Sequence, residues 1–262
     1  DTYMDDVLLH ADSLPELQHK MDRVIETMAR ASFTLHKWLA APEVAQAFGL
    51  QNSKSEGSYL GARWRLVDEE LFLSVPGSLP TRFTRRALLS FFASIFDPLG
   101  LIGPFHTTIK ILMRELLKES PTWDEPIGAA TEKQARSLIQ DVVEYLPRVR
   151  HRRLVTGSGP LELWVFGDAS KAAYGICVYV HDAVDKHTEL LLSRGHLPSQ
   201  NKTIPELELV AATLAVDTYV KIRDSLPFLP TRVRFFTDSQ VTWHRIQADA
   251  NKFSAFVMNR VR

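Results

Sequence analysis

The spacing of apolar and polar positions divides the chain into short strand-like runs and longer helical ones. Leu161-Glu-Leu-Trp-Val-Phe-Gly-Asp168 predicts a strand that ends on an acid. Tyr174 to Val180, rich in β-branched and aromatic residues, predicts a second. Thr188 to Ser193 predicts a third, with Asp182, Asp185 and their neighbours supplying the turn before it. A helix then runs from about Pro205, which suits a first helical turn, to about Ser225, with Leu209, Ala212, Leu214 and Val220 on its apolar side. Arg234-Phe-Phe-Thr-Asp238 predicts another strand that ends on an acid, and Ser239 to Gln247 a last helical piece.

Upstream, Thr2 to Leu9 reads as two short apolar pieces around Asp5 and Asp6, a hairpin with the acids at its turn. Ser13-Leu-Pro-Glu16 is a capping box, and a helix to about Ala31 follows with Leu17, Met21, Val24, Ile25 and Met28 at helical spacing. Phe33 to Trp38 reads as a strand, and Leu60 to Trp64 with Leu71 to Val75 as a hairpin around Asp68-Glu-Glu70. Residues 81–146 have a helical pattern. Thr84 to Phe96 stops at the breaker Asp97-Pro98-Leu-Gly100, Ile109 to Lys118 follows, Trp123-Asp-Glu-Pro126 makes a turn, and Thr131-Glu-Lys-Gln134 is a second capping box that opens a helix to about Leu146. The basic run Arg148-Val-Arg-His-Arg-Arg153 precedes Gly157-Ser-Gly-Pro160, a linker. Three domains are expected: 1–80, 81–156 and 157–262.

A hydrophobic fraction of 45% and a charged fraction of 24% are those of an ordinary globular protein. The net charge is zero, so any surface for nucleic acid must be local. Cys177, the one cysteine, excludes an intramolecular disulfide and reads as a buried, inert thiol in a reducing setting. No apolar run approaches the roughly 18 residues of a membrane span, and no signal peptide opens the chain. The chain does not begin with methionine and opens inside a structural element, so a piece of something longer is expected. His10, His36, His106 and His196 have no metal-ligand spacing.

Three acids stand out: Asp168 and Asp238 at strand ends, and Glu208 one turn into a helix. Any one such acid is most often a solvated cap, and Glu206 is a rival to Glu208. If the three converge, like charges about 4 Å apart repel by roughly 4 kcal/mol at an effective dielectric near 20. Divalent cations make such a cluster tolerable, and two of them can clamp the attacking and leaving oxygens of a phosphodiester. The order strand, strand, strand, helix, strand, helix resembles the ribonuclease H fold. The strings Gly-Asp168-Ala-Ser, Ile-Pro-Glu-Leu-Glu208-Leu and Thr-Asp238-Ser resemble the ribonuclease H domain of BEL/Pao-type retrotransposon polyproteins. The resemblance implies that Asp168, Glu208 and Asp238 bind catalytic Mg²⁺ or Mn²⁺ ions, and it favours Glu208 over Glu206. A fourth carboxylate is implied beyond Asp238, where Asp249 is the sole later acid and lies too early. A weak or inactive isolated piece is therefore expected.

Tyr3-Met4-Asp5-Asp6 and Phe33-Thr-Leu-His-Lys37-Trp38 resemble the late palm of reverse transcriptases from the same elements. That resemblance makes Asp5 a metal ligand beside Asp6, with a partner acid on an earlier strand. Arg63 falls in the segment that corresponds to the primer grip. Phe96-Asp-Pro-Leu-Gly-Leu-Ile-Gly103 and Trp123-Asp-Glu-Pro126 resemble the Pao connection region, which has also been classed as an aspartic peptidase. No Asp-Thr or Asp-Ser pair here is followed by Gly, so peptidase activity is not expected. Arg148, Arg150, Arg152 and Arg153 are candidates for phosphate contacts, or else a solvated linker. The expectation is an α+β chain: a reverse transcriptase palm remnant and helical connection, then a ribonuclease H-like mixed-sheet domain truncated at its C-terminus. The implied partners are an RNA–DNA hybrid and the rest of the polyprotein, with no membrane, in the cytoplasm, a virus-like particle or the nucleus. The competing expectation is a non-catalytic, decayed or domesticated relic that binds nucleic acid or protein.

Overall fold

The computed structural model describes residues 2–3, 6–59, 62–74, 79–119, 122–152, 159–199 and 201–261. The chain is α+β and forms two compact units, residues 1–74 with 150–153, and residues 75–149 with 154–262.

In the first unit, β1 (Thr2–Tyr3) pairs antiparallel with β2 (Asp6–Val7); Asp6, expected at the turn, stands in the strand opposite Tyr3, and Met4 and Asp5 lie outside the described residues. Helix α1 (Leu14–Arg30) starts where Ser13 accepts the Glu16 amide at 3.4 Å, with Pro15 in the first turn, as the sequence predicts. The strand expected over Phe33 to Trp38 does not form. Ser32 and Lys37 take positive φ, 63° and 61°, which breaks an extended run at both ends, and Phe33 is 67% exposed. A short helix α2 (Pro42–Ala47) follows. Then β3 (Glu56–Tyr59), β4 (Ala62–Arg65), β5 (Glu70–Phe72) and β6 (Arg150–Arg152) make one antiparallel sheet in that order. The β4–β5 hairpin is the predicted one. Arg150 to Arg152 of the basic run, read as phosphate contacts or else a solvated linker, form the fourth strand, with Arg150 and Arg152 exposed.

Charge rather than apolar alternation organises that sheet. Glu56 accepts from Arg63 at 2.9 Å and from Arg65 at 3.2 Å, and these two arginines hold its carboxyl below the usual carboxylate range. The guanidinium groups of Arg63, Arg65 and Arg150 lie 5.4 to 5.5 Å from the Phe72 ring centre. These cation–π contacts suit arginine, whose planar, weakly hydrated head stacks on rings.

In the second unit, α3 (Arg85–Ala93), α4 (Gly103–Glu119) and α5 (Ala129–Tyr145) bury Leu88, Phe92, Leu112, Leu116, Ala135 and Val142 among themselves. Thr84 caps α3 by accepting the Ala87 amide at 3.1 Å. Trp123-Asp-Glu-Pro126 clips onto the start of α3. Arg85 stacks 4.4 Å from the Trp123 ring, and Arg86 grips Asp124 with two bonds of 2.7 and 3.1 Å. The capping box predicted at Thr131 is not the start of α5. The helix begins at Ala129 behind Gly128, because Glu119 takes both the Gly128 amide, at 2.6 Å, and the Thr131 hydroxyl.

The second sheet has the order β10 (Arg232–Phe236), β7 (Leu161–Ala169), β8 (Tyr174–Asp182), β9 (Thr188–His196). The first pair is parallel and the others antiparallel. Helix α6 (Ile204–Ile222) crosses from β9 to β10 and covers one face, burying Leu161, Leu163, Val165, Ile176, Val178, Val180 and Ala215. It is fixed by a full capping box, Thr203 with Glu206. Helices α7 (Gln240–Gln247) and α8 (Ala255–Val261) follow β10.

The string Asp97 to Gly103 joins the helices to β9. The Asp97 carboxylate, its side chain fully buried, accepts the amides of Leu101 and Ile102 at 2.8 and 2.9 Å and lies 3.4 Å from His106. Burial alone would raise the Asp97 pKa. The bonds from His106, Ile102 and Leu101 outweigh it, and the net shift is downward. The loop they shape offers the Leu99 carbonyl to the Ser193 amide at 2.8 Å and the Gly100 carbonyl to the Ser193 hydroxyl at 2.5 Å. Gly100 has φ +73°, and a Cβ there would lie 2.1 Å from the Ser193 carbonyl oxygen.

Candidate functional site

The three acids sit at one end of the second sheet. Strands β7 and β10 run parallel with Phe166 opposite Phe236. Asp168 and Asp238 each stand two residues beyond that last pair, so neighbouring parallel strands bring them out side by side. Asp168 is exposed, accepts its neighbour Ala169's amide at 2.7 Å, and faces Gly175 across the β7–β8 pair. It borders a cleft of about 370 Å³ that is also lined by Pro104, Thr107, Phe166, Tyr174 and Arg194. Asp238 is exposed on the loop between β10 and α7. That strand ends at Phe236, two residues short of the predicted end.

Glu208 arrives from α6, half-buried. The helix approaches β7 closely because Gly167 has no side chain. A Cβ there would meet the Ala211 carbonyl oxygen at 3.0 Å. Glu208 lies three residues before Ala211, almost one turn, and so stands over the acid end of the sheet. Its carboxylate accepts the Ser239 hydroxyl at 2.5 Å. Ser239 is buried and also caps α7, accepting the Thr242 amide at 3.1 Å. One bond thus ties the helix acid to the loop that carries Asp238. Glu206 is occupied elsewhere, since it accepts the Thr203 amide at 2.8 Å and the Thr203 hydroxyl at 3.0 Å. Among the described residues, no three carboxylate, imidazole or thiol side chains stand close enough to hold one metal ion. The topology gathers the three acids, while their side chains are not turned onto a common point. Sequence reasoning missed Ser239 and Gly167, although both flank acids in the quoted strings.

The other candidates are placed as follows. Asp6 is exposed in β2 of the first unit, and Asp5 lies outside the described residues. Arg63 is held by Glu56 at 2.9 Å. Arg150 lies 3.9 Å from Glu70, and Arg152 is exposed on β6 opposite Glu70. Arg148 pairs with Glu144 at 2.9 Å in the second unit. Arg153 lies outside the described residues. Cys177 is half-buried, and burial raises its thiol pKa.

A mixed sheet of this order, crossed by one helix, with acids at adjoining strand ends, defines a ribonuclease H-like domain. Residues 84–239 match the Pao retrotransposon-like RNaseH-like domain, and the chain belongs to that family. It carries the RNase H-like domain of a retroelement polyprotein. The match takes in α3 to α5 together with the sheet. No curated protein matches the chain. Among solved structures, the foamy viral protease-reverse transcriptase in complex with RNA/DNA hybrid is 13% identical with a TM-score of 0.47, over 79% of this chain and 27% of that one. The same enzyme's dRH form in complex with ds DNA is 13% identical with a TM-score of 0.46, over 80% of this chain and 36% of that one. The chain thus spans well under half the length of either. Among the described residues, no helix is long and apolar enough to cross a membrane.

Proposed function

We propose that this chain contributes a metal-dependent nuclease that hydrolyses the RNA strand of RNA–DNA hybrids in the reverse transcription of a BEL/Pao-type element. Asp168, Glu208 and Asp238 are its Mg²⁺ or Mn²⁺ ligands. The observation that carries this reading is the Glu208–Ser239 bond at 2.5 Å, which fastens the helix acid beside the Asp238 loop and next to the end of β7. The donor set fits the cation, since carboxylate oxygens are the ligands of hard divalent ions. When bound, such ions supply an activated water and stabilise charge on the leaving oxygen. The chain's own residues set the rest. Gly167 lets α6 approach, Ser239 orients Glu208, and the cleft beside Asp168 leaves room for a phosphodiester. Residues 1–80 correspond in this reading to a late palm with Asp5 and Asp6 at its hairpin, 81–156 to the connection, and 157–262 to the nuclease.

The side chains as they stand favour one rival, a non-catalytic relic that binds nucleic acid or protein. One pair of measurements separates the two. Millimolar Mg²⁺ should raise the Tm, because a ligand of the native state at about 100 Kd adds roughly 2.7 kcal/mol. Asp238→Asn should cancel that gain and remove whatever hybrid cleavage the parent shows. A Tm indifferent to Mg²⁺ and Mn²⁺, with no cleavage that depends on Asp238, would leave the relic.

A further inference from the structure

Four cations crowd a second cleft, of about 440 Å³, formed by α4, the β7–β8 turn and the segment that leads into α6. Arg114 and Lys118 of α4, Lys171 of the β7–β8 turn and Lys202 before α6 line it with Pro198, Ser199, Asn201 and Leu207. Among the described residues, no carboxylate lines it. Glu206, which stands nearest in sequence, is folded back into its capping box with Thr203. In a chain of zero net charge, four cations in one cleft, of which Lys202 alone feels the nearby Glu206 carboxylate, make a local positive field.

The four are fixed to different degrees. Lys110, Arg114 and Lys118 recur every four residues and form one stripe on α4. Lys110 donates to the Gly195 carbonyl at 2.7 Å, and Arg114 donates to the Ala172 carbonyl at 3.3 Å. Both bonds go to neutral acceptors, so neither charge is cancelled. Lys202 rests 3.9 Å from the Phe256 ring centre. Lys118 and Lys171 are exposed, and neither is held by an ion pair among the described residues. The cleft adjoins the acids through the chain itself, since Lys171 is three residues after Asp168 and Leu207 precedes Glu208.

We propose that this cleft seats the phosphodiester backbone of a nucleic-acid duplex and holds it in register with the acids. The duplex follows from the nuclease reading, on which this inference rests. The polyanion follows from the charge alone. Lys118 and Lys171 supply mobile point charges for phosphates, and the tethered Arg114 keeps the wall of the cleft in place.

The test is metal-free binding of a labelled RNA–DNA hybrid to the full chain by fluorescence anisotropy, across a range of salt. Each lost phosphate contact lowers the slope of log K against log salt by about 0.9, and at 0.1 M salt costs roughly eightfold in affinity. Lys118→Gln with Lys171→Gln should therefore flatten the slope by about 1.8 and weaken binding roughly sixtyfold. Lys186→Gln, at the opposite end of the sheet, should change neither. Unchanged slope and affinity in the double variant, with an unchanged Tm, would overturn the proposal. So would wild-type chain that ignores hybrid and duplex DNA yet binds polyglutamate. The two readings fail separately. Slope loss with a Tm indifferent to Mg²⁺ and Mn²⁺ keeps the cleft and removes the nuclease. Intact Mg²⁺-dependent cleavage with no slope change removes only the cleft.

Discussion

Replacing Gly100 by alanine should loosen the seam between the helices and the second sheet more than any other single methyl group added there. The glycine has φ +73°, and an added Cβ would lie 2.1 Å from the Ser193 carbonyl oxygen and 2.9 Å from both its carbonyl carbon and hydroxyl. A non-glycine residue in the left-handed region costs about 1 kcal/mol or somewhat more. Forcing backbone apart from backbone adds roughly 1–3 kcal/mol. If the loop retreats, the bonds from the Ser193 amide and hydroxyl weaken, each worth about 1 kcal/mol. The sum is about 3–5 kcal/mol, or a Tm lowered by roughly 10 °C. Hydrogen exchange at the Ser193 amide gives the local readout, and its protection should collapse in Gly100→Ala while that of the Leu163 and Val178 amides declines less. A variant within about 1 kcal/mol of the parent, with Ser193 still protected, would refute the reasoning, because the loop would then have room that these distances deny it.

Other expectations follow from the titrating groups. Asp97 has its pKa depressed in the fold, so its contribution to stability is complete above the ordinary aspartate value of about 3.9 and is lost as pH falls through the lower folded value. Acid titration of the melting temperature should show this loss below about pH 4, and Asp97→Asn should be less stable at neutral pH and less acid-sensitive; equal acid slopes would exclude the residue as the cause. Cys177, with its thiol pKa raised by burial, should react slowly with aromatic disulfides at pH 7 in the native chain and fast in urea, and equal rates would show that the strand does not shield it.

The second sheet was legible because its strands are long and apolar and its helix is punctuated. Leu161 to Asp168 and Tyr174 to Val180 come within a residue or two of the observed strands, and Pro205 marks the first turn of α6, whose capping box, Thr203 with Glu206, the pattern reading passes over. The first sheet was less legible because its strands are held by charge pairs across the ladder. Glu56-Gly-Ser-Tyr59 shows no apolar alternation, and Arg150 to Arg152 finds its partner strand some eighty residues earlier. Phe33 to Trp38 has strand composition without a strand to pair with. At the candidate site, the order of the acids could be read, and so could the element each rides on. What a linear pattern does not contain is the company each side chain keeps. The resemblance favours Glu208 over Glu206, but it does not tell that Glu208 accepts from Ser239 and Glu206 from Thr203. The cationic cleft was hidden for the same reason, since its four members come from three separate segments.

The seam along β9 also bears on solubility. Ser193 and Gly195 point the same way from the outer strand of the sheet, and their amide and carbonyl are met by Leu99 and Lys110. A sheet margin with these groups unsatisfied is a template for another chain. The helices therefore cover a margin that would otherwise offer itself to a second chain. The second sheet expressed without α3 to α5 would leave the margin bare, and the expected outcome is a protein that self-associates through β9.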